Sequence, residues 1–269
     1  MADERETYTH GHADSVLRSH RQRTAENSAG YLLERLRPGL DLLDVGCGPG
    51  TISVDLARRV APGRVLAIDA AEDVVASARA EADAAGLDNL EVRIGDVYAL
   101  ELDDGAFDVV HAHQVLQHVA RPVDALREMR RVTRAGGVVA ARDSIYRAMT
   151  WAPAEPAMDR WLEVYCAVAE ANGGEPDAGR HLEHWAREAG FGEVVASESS
   201  WHWTTPDERT WWSDLWADRI SITALADRAV ELGVSTREEL ADLAAAWRRW
   251  GAQPDGWFEV PCGEILCPR

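Results

Sequence analysis

Residues 41–50 constrain this chain more than any other part of its sequence. They read Asp-Leu-Leu-Asp-Val-Gly-Cys-Gly-Pro-Gly, and we expect a buried strand over residues 40–45, a glycine-rich turn, and a helix over residues 51–60. Three glycines at alternate positions carry no Cβ, so the backbone can turn sharply and approach a ligand closely. The start of the helix presents N–H groups that favour an anionic or carboxylate-bearing group, while Asp44 can hold an ammonium group. The stretch therefore predicts a ligand site at the end of a strand.

The spacing of the glycines separates two kinds of nucleotide-binding turn. The NAD-type fingerprint needs G-x-G-x-x-G. Here the pattern is G-x-G-x-G, from Gly46 to Gly50, and it starts two residues after Asp44. An NAD-dependent dehydrogenase is therefore the least favoured of the nucleotide-binding enzymes.

Strand and helix patterns alternate after this turn. We expect further strands over residues 64–69, 90–95, 107–112 and 138–141, and helices over residues 71–85 and 122–133. Alternation at this pace predicts an α/β fold with a doubly wound, mostly parallel sheet and helices on both faces. Ligands of such sheets bind at the carboxyl ends of the strands.

Polar side chains occur where each expected strand ends. They are Asp44, Asp69, Asp96, the pair His113 and Gln114, and Asp143. Asp69 is placed to accept from two ribose hydroxyls, and Asp96 from an exocyclic amine such as that of adenine. Each acid taken alone could equally be a helix N-cap. Together with the glycine turn, they predict one ligand-binding edge.

Five segments occur in a fixed order over residues 28–145. They are D-V-G-C-G-P-G, V-L-A-I-D, I-G-D-V, F-D-V-V-H-A-H-Q-V-L-Q-H-V and L-R-E-M-R-R-V-T-R-A-G-G. This order resembles the class I S-adenosylmethionine (SAM)-dependent methyltransferases, and most of all the group that includes ubiquinone- and menaquinone-biosynthesis methyltransferases and actinomycete tailoring enzymes. The quinone enzymes tend to carry Gly-Thr-Gly where this chain has Gly48-Pro49-Gly50, so we do not carry over a quinone substrate.

The resemblance implies a Rossmann-like sheet of seven strands with an antiparallel last strand, helical lid insertions, and SAM as cofactor. It also implies a set of cofactor-binding residues: Asp44, Gly46, Cys47, Gly48, Asp69, Ala70, Asp96, Val97, His113 and Gln114.

Three regions are predicted along the chain: an N-terminal helical cap over residues 1–37, a SAM-binding core over residues 38–145, and the last strands with a tryptophan-rich helical lid over residues 146–269. The chain has 11 tryptophans, and most lie at or beyond Trp185. We expect most of them to pack helices onto the sheet. A minority is expected to line an apolar acceptor pocket, and our candidates are Tyr146, Trp151, Trp203 and Trp212.

The function that follows is methyl transfer to an oxygen, nitrogen or carbon atom of a small aromatic or lipophilic metabolite, as in secondary metabolism. Candidate proton acceptors are His113, His20 and Asp143. We expect His113 to face the cleft and His111 to face the other side. Two alternatives remain: a SAM-binding enzyme with cyclase or decarboxylase chemistry, and a SAM-binding module without turnover.

Composition excludes several kinds of partner and binding site. The formal net charge is −18 and no basic face is visible, so nucleic acid is not an expected partner. Four scattered cysteines without a C-x-x-C pair argue against a zinc site and a disulfide framework. The polar N-terminus and the absence of a long apolar run predict a cytoplasmic protein away from membranes, a monomer or homodimer that acts on a small molecule.

Overall fold

The computed structural model describes residues 22–269, which form an eight-stranded sheet flanked by helices. The strands are β1 (Leu42–Val45), β2 (Val65–Asp69), β3 (Leu90–Ile94), β4 (Phe107–His113), β5 (Thr133–Ser144), β6 (Thr150–Ala152), β7 (Val195–Trp203) and β8 (Trp257–Pro268). The α-helices are α1 (Ala25–Ser28), α2 (Thr51–Val60), α3 (Glu72–Ala85), α4 (Pro122–Val132), α5 (Pro156–Ala171), α6 (Ala178–Glu188), α7 (Pro206–Ile222), α8 (Ala224–Glu231) and α9 (Arg237–Gly251).

Strands β1 to β5 form a parallel sheet in the order β3-β2-β1-β4-β5. Strand β8 runs antiparallel between β5 and β7. The predicted α/β fold, with a mostly parallel sheet and an antiparallel last strand, is confirmed. The short strand β6 was not predicted, and it pairs with the first residues of β8.

The central strands are apolar because helices cover both faces of a parallel sheet. All four residues of β1 are buried. Helix α2 buries Ile52, Leu56 and Val60 against β1 and β2, while its last turn carries Arg58 and Arg59. Burial of β1 on both sides fixes the position of the glycine turn that follows it.

Strand β5 is longer than its apolar stretch predicts. We expected residues 138–141, but the strand extends from Thr133 to Ser144. It pairs with β4 from Phe107↔Thr133 onward, and with β8 as far as Ser144↔Cys262. The register shifts between Phe107 and Val109 of β4, so residues 134–137, which include Gly136 and Gly137, form an irregularity and regular pairing on both sides starts at Val138.

An aromatic core joins the C-terminal helices to the sheet. Trp161 of α5 lies at its centre, with ring centroids 4.5 Å from Trp216 and 4.7 Å from Trp247. Trp250 and Phe258 belong to the same buried cluster. Most tryptophans beyond residue 150 therefore pack helices on the sheet.

The N-terminal segment is described from residue 22. The side chain of Thr24 caps α1, and the Ala25 N–H donates to Asp55 Oδ2 of α2 (3.1 Å). A 3₁₀ helix, Gly30–Arg35, follows α1. The rest of the predicted cap, including His20, lies outside the described residues. Within residues 22–269, we find no helix with the length and apolar character that crossing a membrane requires.

Replacement of Trp161 by alanine tests the aromatic core. Trp161 is fully buried, so we expect Trp161→Ala to lower the free energy of unfolding by about 3–5 kcal/mol in urea titrations. Trp257→Ala is the matched control, because Trp257 is 39% exposed and its loss should cost about 1 kcal/mol or less. Equal losses in both variants would contradict a core centred on Trp161.

Candidate functional site

The turn after β1 depends on its glycines. Gly46, Gly48 and Gly50 have φ values of 67°, 55° and 89°, which lie in the left-handed region that L side chains rarely adopt. A Cβ added at Gly46 would also lie 2.4 Å from Cγ2 of Val115. The backbone at Gly46 therefore has neither the conformation nor the space for a larger residue.

Asp44 is buried at the end of β1 and connects three elements. The Ser53 hydroxyl of α2 donates to Asp44 Oδ2 (2.5 Å), and Nδ1 of His111 in β4 lies 2.8 Å from Asp44 Oδ1. Only 2% of Asp44 is exposed, so these two contacts offset the cost of burying its carboxylate. Asp44 thus ties β1 to the first turn of α2 and to β4.

Two further carboxylates follow β2 and β3 at the same edge of the sheet. Asp69 accepts from the Gly48 N–H at Oδ2 (3.1 Å) and from the Ala71 N–H at Oδ1 (3.2 Å). Asp96 is exposed and accepts from the Tyr98 N–H (2.8 Å). Asp69 therefore fixes the glycine turn from the side of the next strand, while Asp96 remains at the surface.

Three other predicted cofactor contacts, Ala70, Val97 and Cys47, lie near these strand ends. Ala70 is exposed beside Asp69, and Val97 packs against the core beneath the sheet edge. The Cys47 N–H donates to Ile68 O (2.9 Å), and the Gly50 N–H donates to Cys47 O (3.1 Å). The turn is thus held by backbone bonds as well as by Asp69.

His111 and His113 lie on the same face of β4, which corrects our expectation that they face opposite sides. Residues two apart in a strand point the same way. His113 is 5% exposed, and its ring contacts Trp201 edge-to-face with centroids 5.4 Å apart. His113 lines a cavity at the strand ends, as expected, whereas His111 is fully buried and lies 2.8 Å from Asp44.

A small cavity of about 20 Å³ lies over the glycine turn. Its lining includes Arg23, Asp44, Gly46, Cys47 and His113. This volume admits only a group about the size of a water molecule. A larger ligand at this turn must extend beyond the cavity.

A larger cavity of about 440 Å³ lies beside the first. Aromatic side chains form much of its wall: Tyr146, Trp201, Trp203, Trp211 and Trp212. Trp203 and Trp212 stack with ring centroids 3.8 Å apart. Arg23 lines both cavities, and the contact between His113 and Trp201 connects their walls.

The predicted acceptor contacts are divided between this cavity and the core. Tyr146, Trp203 and Trp212 line the cavity. Trp151 lies instead in the aromatic core, where it stacks on Phe258 with centroids 5.6 Å apart. Trp151 pairs with Phe258 from β6, whereas Trp203 pairs with the same residue from β7 and also stacks on Trp212 at the cavity.

Most of the polar residues in the cavity wall were not predicted from the sequence. Gln114, Gln117, His118 and Ser144 line it together, and only Gln114 was a candidate, as a cofactor contact. Gln117 and His118 lie in a 3₁₀ turn, Leu116–His118, directly after β4. Their place immediately after a strand end was the available signal.

Asp143 lies behind this wall and not in it. Its neighbours in β5 include Ser144, which lines the cavity, and successive strand residues point to opposite faces. Asp143 Oδ1 accepts from the Gln117 N–H (3.1 Å). Burial raises the pKa of Asp143 to about 7, although backbone hydrogen bonds from Gln117 and Leu116 oppose this.

His118 is neutral at physiological pH. Its ring is partly exposed to the cavity but lies deep in the protein, and this burial lowers its pKa to about 3. The charges of Arg23 and Arg219 act in the same direction. A neutral ring with so low a pKa is a weak proton acceptor but a good hydrogen-bonding group.

Asp143→Asn tests the buried carboxyl. The raised pKa means that the folded chain binds the carboxyl proton of Asp143 more tightly than the unfolded chain does. Raising the pH from about 4 to about 7 therefore favours unfolding. The difference between a pKa of 3.8 and about 7 corresponds to roughly 4 kcal/mol. We expect the melting temperature of Asp143→Asn, relative to the unsubstituted chain, to rise from pH 5 to pH 8. A difference that does not change with pH would contradict a protonated Asp143.

Known proteins match this chain over most of its length. A family model described as a methyltransferase domain matches residues 36–190, which is more than half of the chain. An uncharacterized methyltransferase of Schizosaccharomyces pombe is 32% identical over 269 residues, covering 96% of this chain and 95% of the relative.

Two solved structures share the fold. One is phosphoethanolamine N-methyltransferase 2 of Haemonchus contortus in complex with S-adenosyl-L-methionine, with a TM-score of 0.55 and 16% identity over 89% of this chain and 52% of that chain. The other is the 4+2 cyclase SpnF, with a TM-score of 0.53 and 22% identity over 97% of this chain and 84% of that chain. With the family match and the glycine turn, these findings show that the chain belongs to the class I SAM-dependent methyltransferases and uses S-adenosyl-L-methionine as its cofactor.

Proposed function

We propose that this methyltransferase acts on a small, flat aromatic or lipophilic acceptor bound in the tryptophan-lined cavity. The observation that carries this proposal is the cavity of about 440 Å³ that adjoins the glycine turn through Arg23. Ligand pockets commonly have volumes of about 300–1,000 Å³ and apolar or aromatic walls. The stacked pair of Trp203 and Trp212 offers a flat apolar surface to a ring.

The cofactor is proposed to bind along the strand ends. Gly46 and Gly48 leave the backbone open to its methionine part, Asp69 accepts from its ribose, and Asp96 with Val97 contacts its adenine. Asp44, Cys47, Ala70, His113 and Gln114 complete the proposed set. Asp69 keeps acceptor capacity for hydroxyl groups while it holds the Gly48 N–H, because a carboxylate has about four lone-pair sites.

When bound, SAM supplies an activated methyl group for in-line displacement by an oxygen, nitrogen or carbon atom. The chain's own contribution is to hold the acceptor ring against the tryptophans and to exclude water from the cavity. We propose His113 as the proton acceptor, since it lines the small cavity and contacts Trp201 of the large one. His20 is a second proposed base and lies outside the described residues.

The proposed cofactor and acceptor sites give each of the three regions of the chain a role. Residues 38–145 supply the proposed cofactor contacts, and residues 146–269 supply most of the aromatic wall. Residues 1–37 form the proposed cap, and its described part carries Arg23 and Asn27. Trp201 Nε1 donates to the Asn27 carbonyl (2.6 Å), which fixes this part of the cap to the cavity wall.

A product-mass assay tests the proposal. The full chain is incubated with SAM and a panel of flat phenols, aromatic amines and aryl ketones with an acidic carbon. We expect an acceptor product that is heavier by one methylene unit, together with S-adenosylhomocysteine. Conversion at unchanged mass would favour cyclase chemistry, and SAM binding without conversion of any acceptor would favour a non-catalytic module.

Trp203→Ala tests the acceptor cavity. Loss of the stacking surface is expected to raise the KM of the methylated acceptor about tenfold, with a smaller effect on kcat. Trp257→Ala should retain the original KM, because Trp257 does not line the cavity. An unchanged KM in Trp203→Ala would place the acceptor elsewhere.

Gly46→Ala tests the cofactor turn. Calorimetric titration should show SAM affinity reduced by about tenfold or more, because a methyl group at this position both strains the backbone and strikes Val115. Gly86→Ala is the matched control: Gly86 has a similar φ of 65°, but no atom within 4 Å of the added Cβ. It should lose comparable stability from backbone strain and keep its SAM affinity. Equal SAM affinity in the two variants would contradict the assignment of the turn.

A further inference from the structure

One side of the aromatic cavity is a chain of hydrogen-bonded polar side chains. Gln114 Nε2 donates to Ser144 Oγ (2.6 Å), and Gln117 Nε2 donates to Gln114 Oε1 (2.8 Å). Gln117 Nε2 also lies 3.0 Å from Nε2 of His118. All four side chains line the cavity, so they form a polar strip beside its aromatic residues, and the wall also holds the charged side chains of Arg23, Glu208 and Arg219.

Gln117 Nε2 is an amide nitrogen that can only donate, and this fixes the direction of the last hydrogen bond. A neutral imidazole has one ring nitrogen that donates and one that accepts. His118 remains neutral, so its Nε2 can accept the second proton of the Gln117 amide. Both protons of Gln117 Nε2 are then committed, one to Gln114 and one to His118.

The other end of the Gln117 amide lacks a hydrogen bond. Oε1 of Gln117 is buried and has no hydrogen-bond partner among residues 22–269, and the residue is only 4% exposed. A buried acceptor left unsatisfied costs about 1–3 kcal/mol. Buried polar groups of this kind are nearly always paired in folded proteins, so a donor from outside residues 22–269 is expected here.

Gln117 cannot easily turn to find another partner. Its N–H donates to Asp143 Oδ1 (3.1 Å), and its carbonyl accepts from the Glu175 N–H (2.9 Å). The backbone near Gly174 approaches so closely that a Cβ there would lie 2.6 Å from the Gln117 carbonyl oxygen. Asp143 and Glu175 therefore hold the backbone of Gln117, and Gln114 holds its side chain.

We propose that Gln117 Oε1 selects the acceptor: a small shift of the cavity wall on binding uncovers this buried oxygen, which then receives a hydrogen bond from the acceptor's hydroxyl or N–H group. The substrate class is then a flat aromatic molecule that carries a donor, such as a phenol or an aromatic amine, and not one that offers only ether or ketone oxygens. This inference rests on the proposed function, because it requires the acceptor to occupy the aromatic cavity. Gln117 is a specificity-determining residue in this view, and Asp143 positions it through the backbone.

Binding of a matched ligand pair tests the proposal without knowledge of the natural substrate. The probes are 2-naphthol, which has a hydroxyl donor, and 2-methoxynaphthalene, which has the same ring but no donor. Equilibrium dialysis against the full chain with S-adenosylhomocysteine should show 2-naphthol bound about two- to tenfold more tightly, as expected for one neutral hydrogen bond.

Gln117→Met removes the acceptor at nearly constant size. The affinity for 2-methoxynaphthalene should remain, and the preference for 2-naphthol should disappear. Gln253→Met is the matched control at an exposed glutamine and should keep the preference. Trp203→Ala should weaken both ligands by a similar factor, because both rings would use the same surface.

The outcomes separate this inference from the proposed function. Equal affinity of the two ligands for the unsubstituted chain would overturn the role of Gln117 and leave the aromatic cavity in place, with a buried water as the partner of Oε1. A preference that survives in Gln117→Met would overturn it as well. If neither ligand binds, or if Trp203→Ala changes neither affinity, the aromatic cavity is not the acceptor site and both proposals fail.

Discussion

The buried carboxylate of Asp44 is the interaction on which the ligand edge depends. A carboxylate that is 2% exposed is tolerated only when it is well hydrogen-bonded, and Ser53 and His111 supply that compensation from two neighbouring elements. These contacts join the end of β1 to α2 and β4. The glycine turn between β1 and α2 is therefore held at both ends, and Asp69 holds its middle through the Gly48 N–H.

The second half of the site has a different physical origin. Part of its wall is formed by tryptophans that extend the aromatic core: Trp203 stacks on Trp212, which in turn packs edge-to-face on Trp216. A wall supported in this way resists collapse, so an apolar cavity can remain beside a closely packed interior. The turn and the cavity come from distant parts of the chain and meet at Arg23 and the contact between His113 and Trp201.

Much of the sheet and of the proposed cofactor site could be predicted because both follow from local patterns. The apolar strands, the glycine spacing and the acids Asp44, Asp69 and Asp96 are close to one another in sequence or repeat at the same point after each strand. The acceptor side could not be predicted to the same degree. Trp151 and Trp203 look equivalent in sequence, and both pair with Phe258 of β8, yet of the two only Trp203 lines the cavity, where it stacks on Trp212.

Two residues show how tertiary contacts determine the role of a side chain: Asp143, whose position was predicted wrongly, and Gln117, which was not predicted as a site residue. Asp143 has the position of a strand-end acid, but the strand continues through it, so its side chain turns away from the cavity and supports the Leu116–His118 turn. Gln117 is unremarkable in sequence, and its importance arises only from the hydrogen bonds that Gln114, His118 and Asp143 impose on it.

A crystal structure of the chain with S-adenosylhomocysteine and 2-naphthol would test the central claim most directly. We predict the homocysteine part over Gly46 and Gly48, the ribose hydroxyls on Asp69, and the naphthol ring against the tryptophans with its hydroxyl on Gln117. A naphthol bound outside the tryptophan-lined cavity, or a nucleoside away from Asp69, would contradict it.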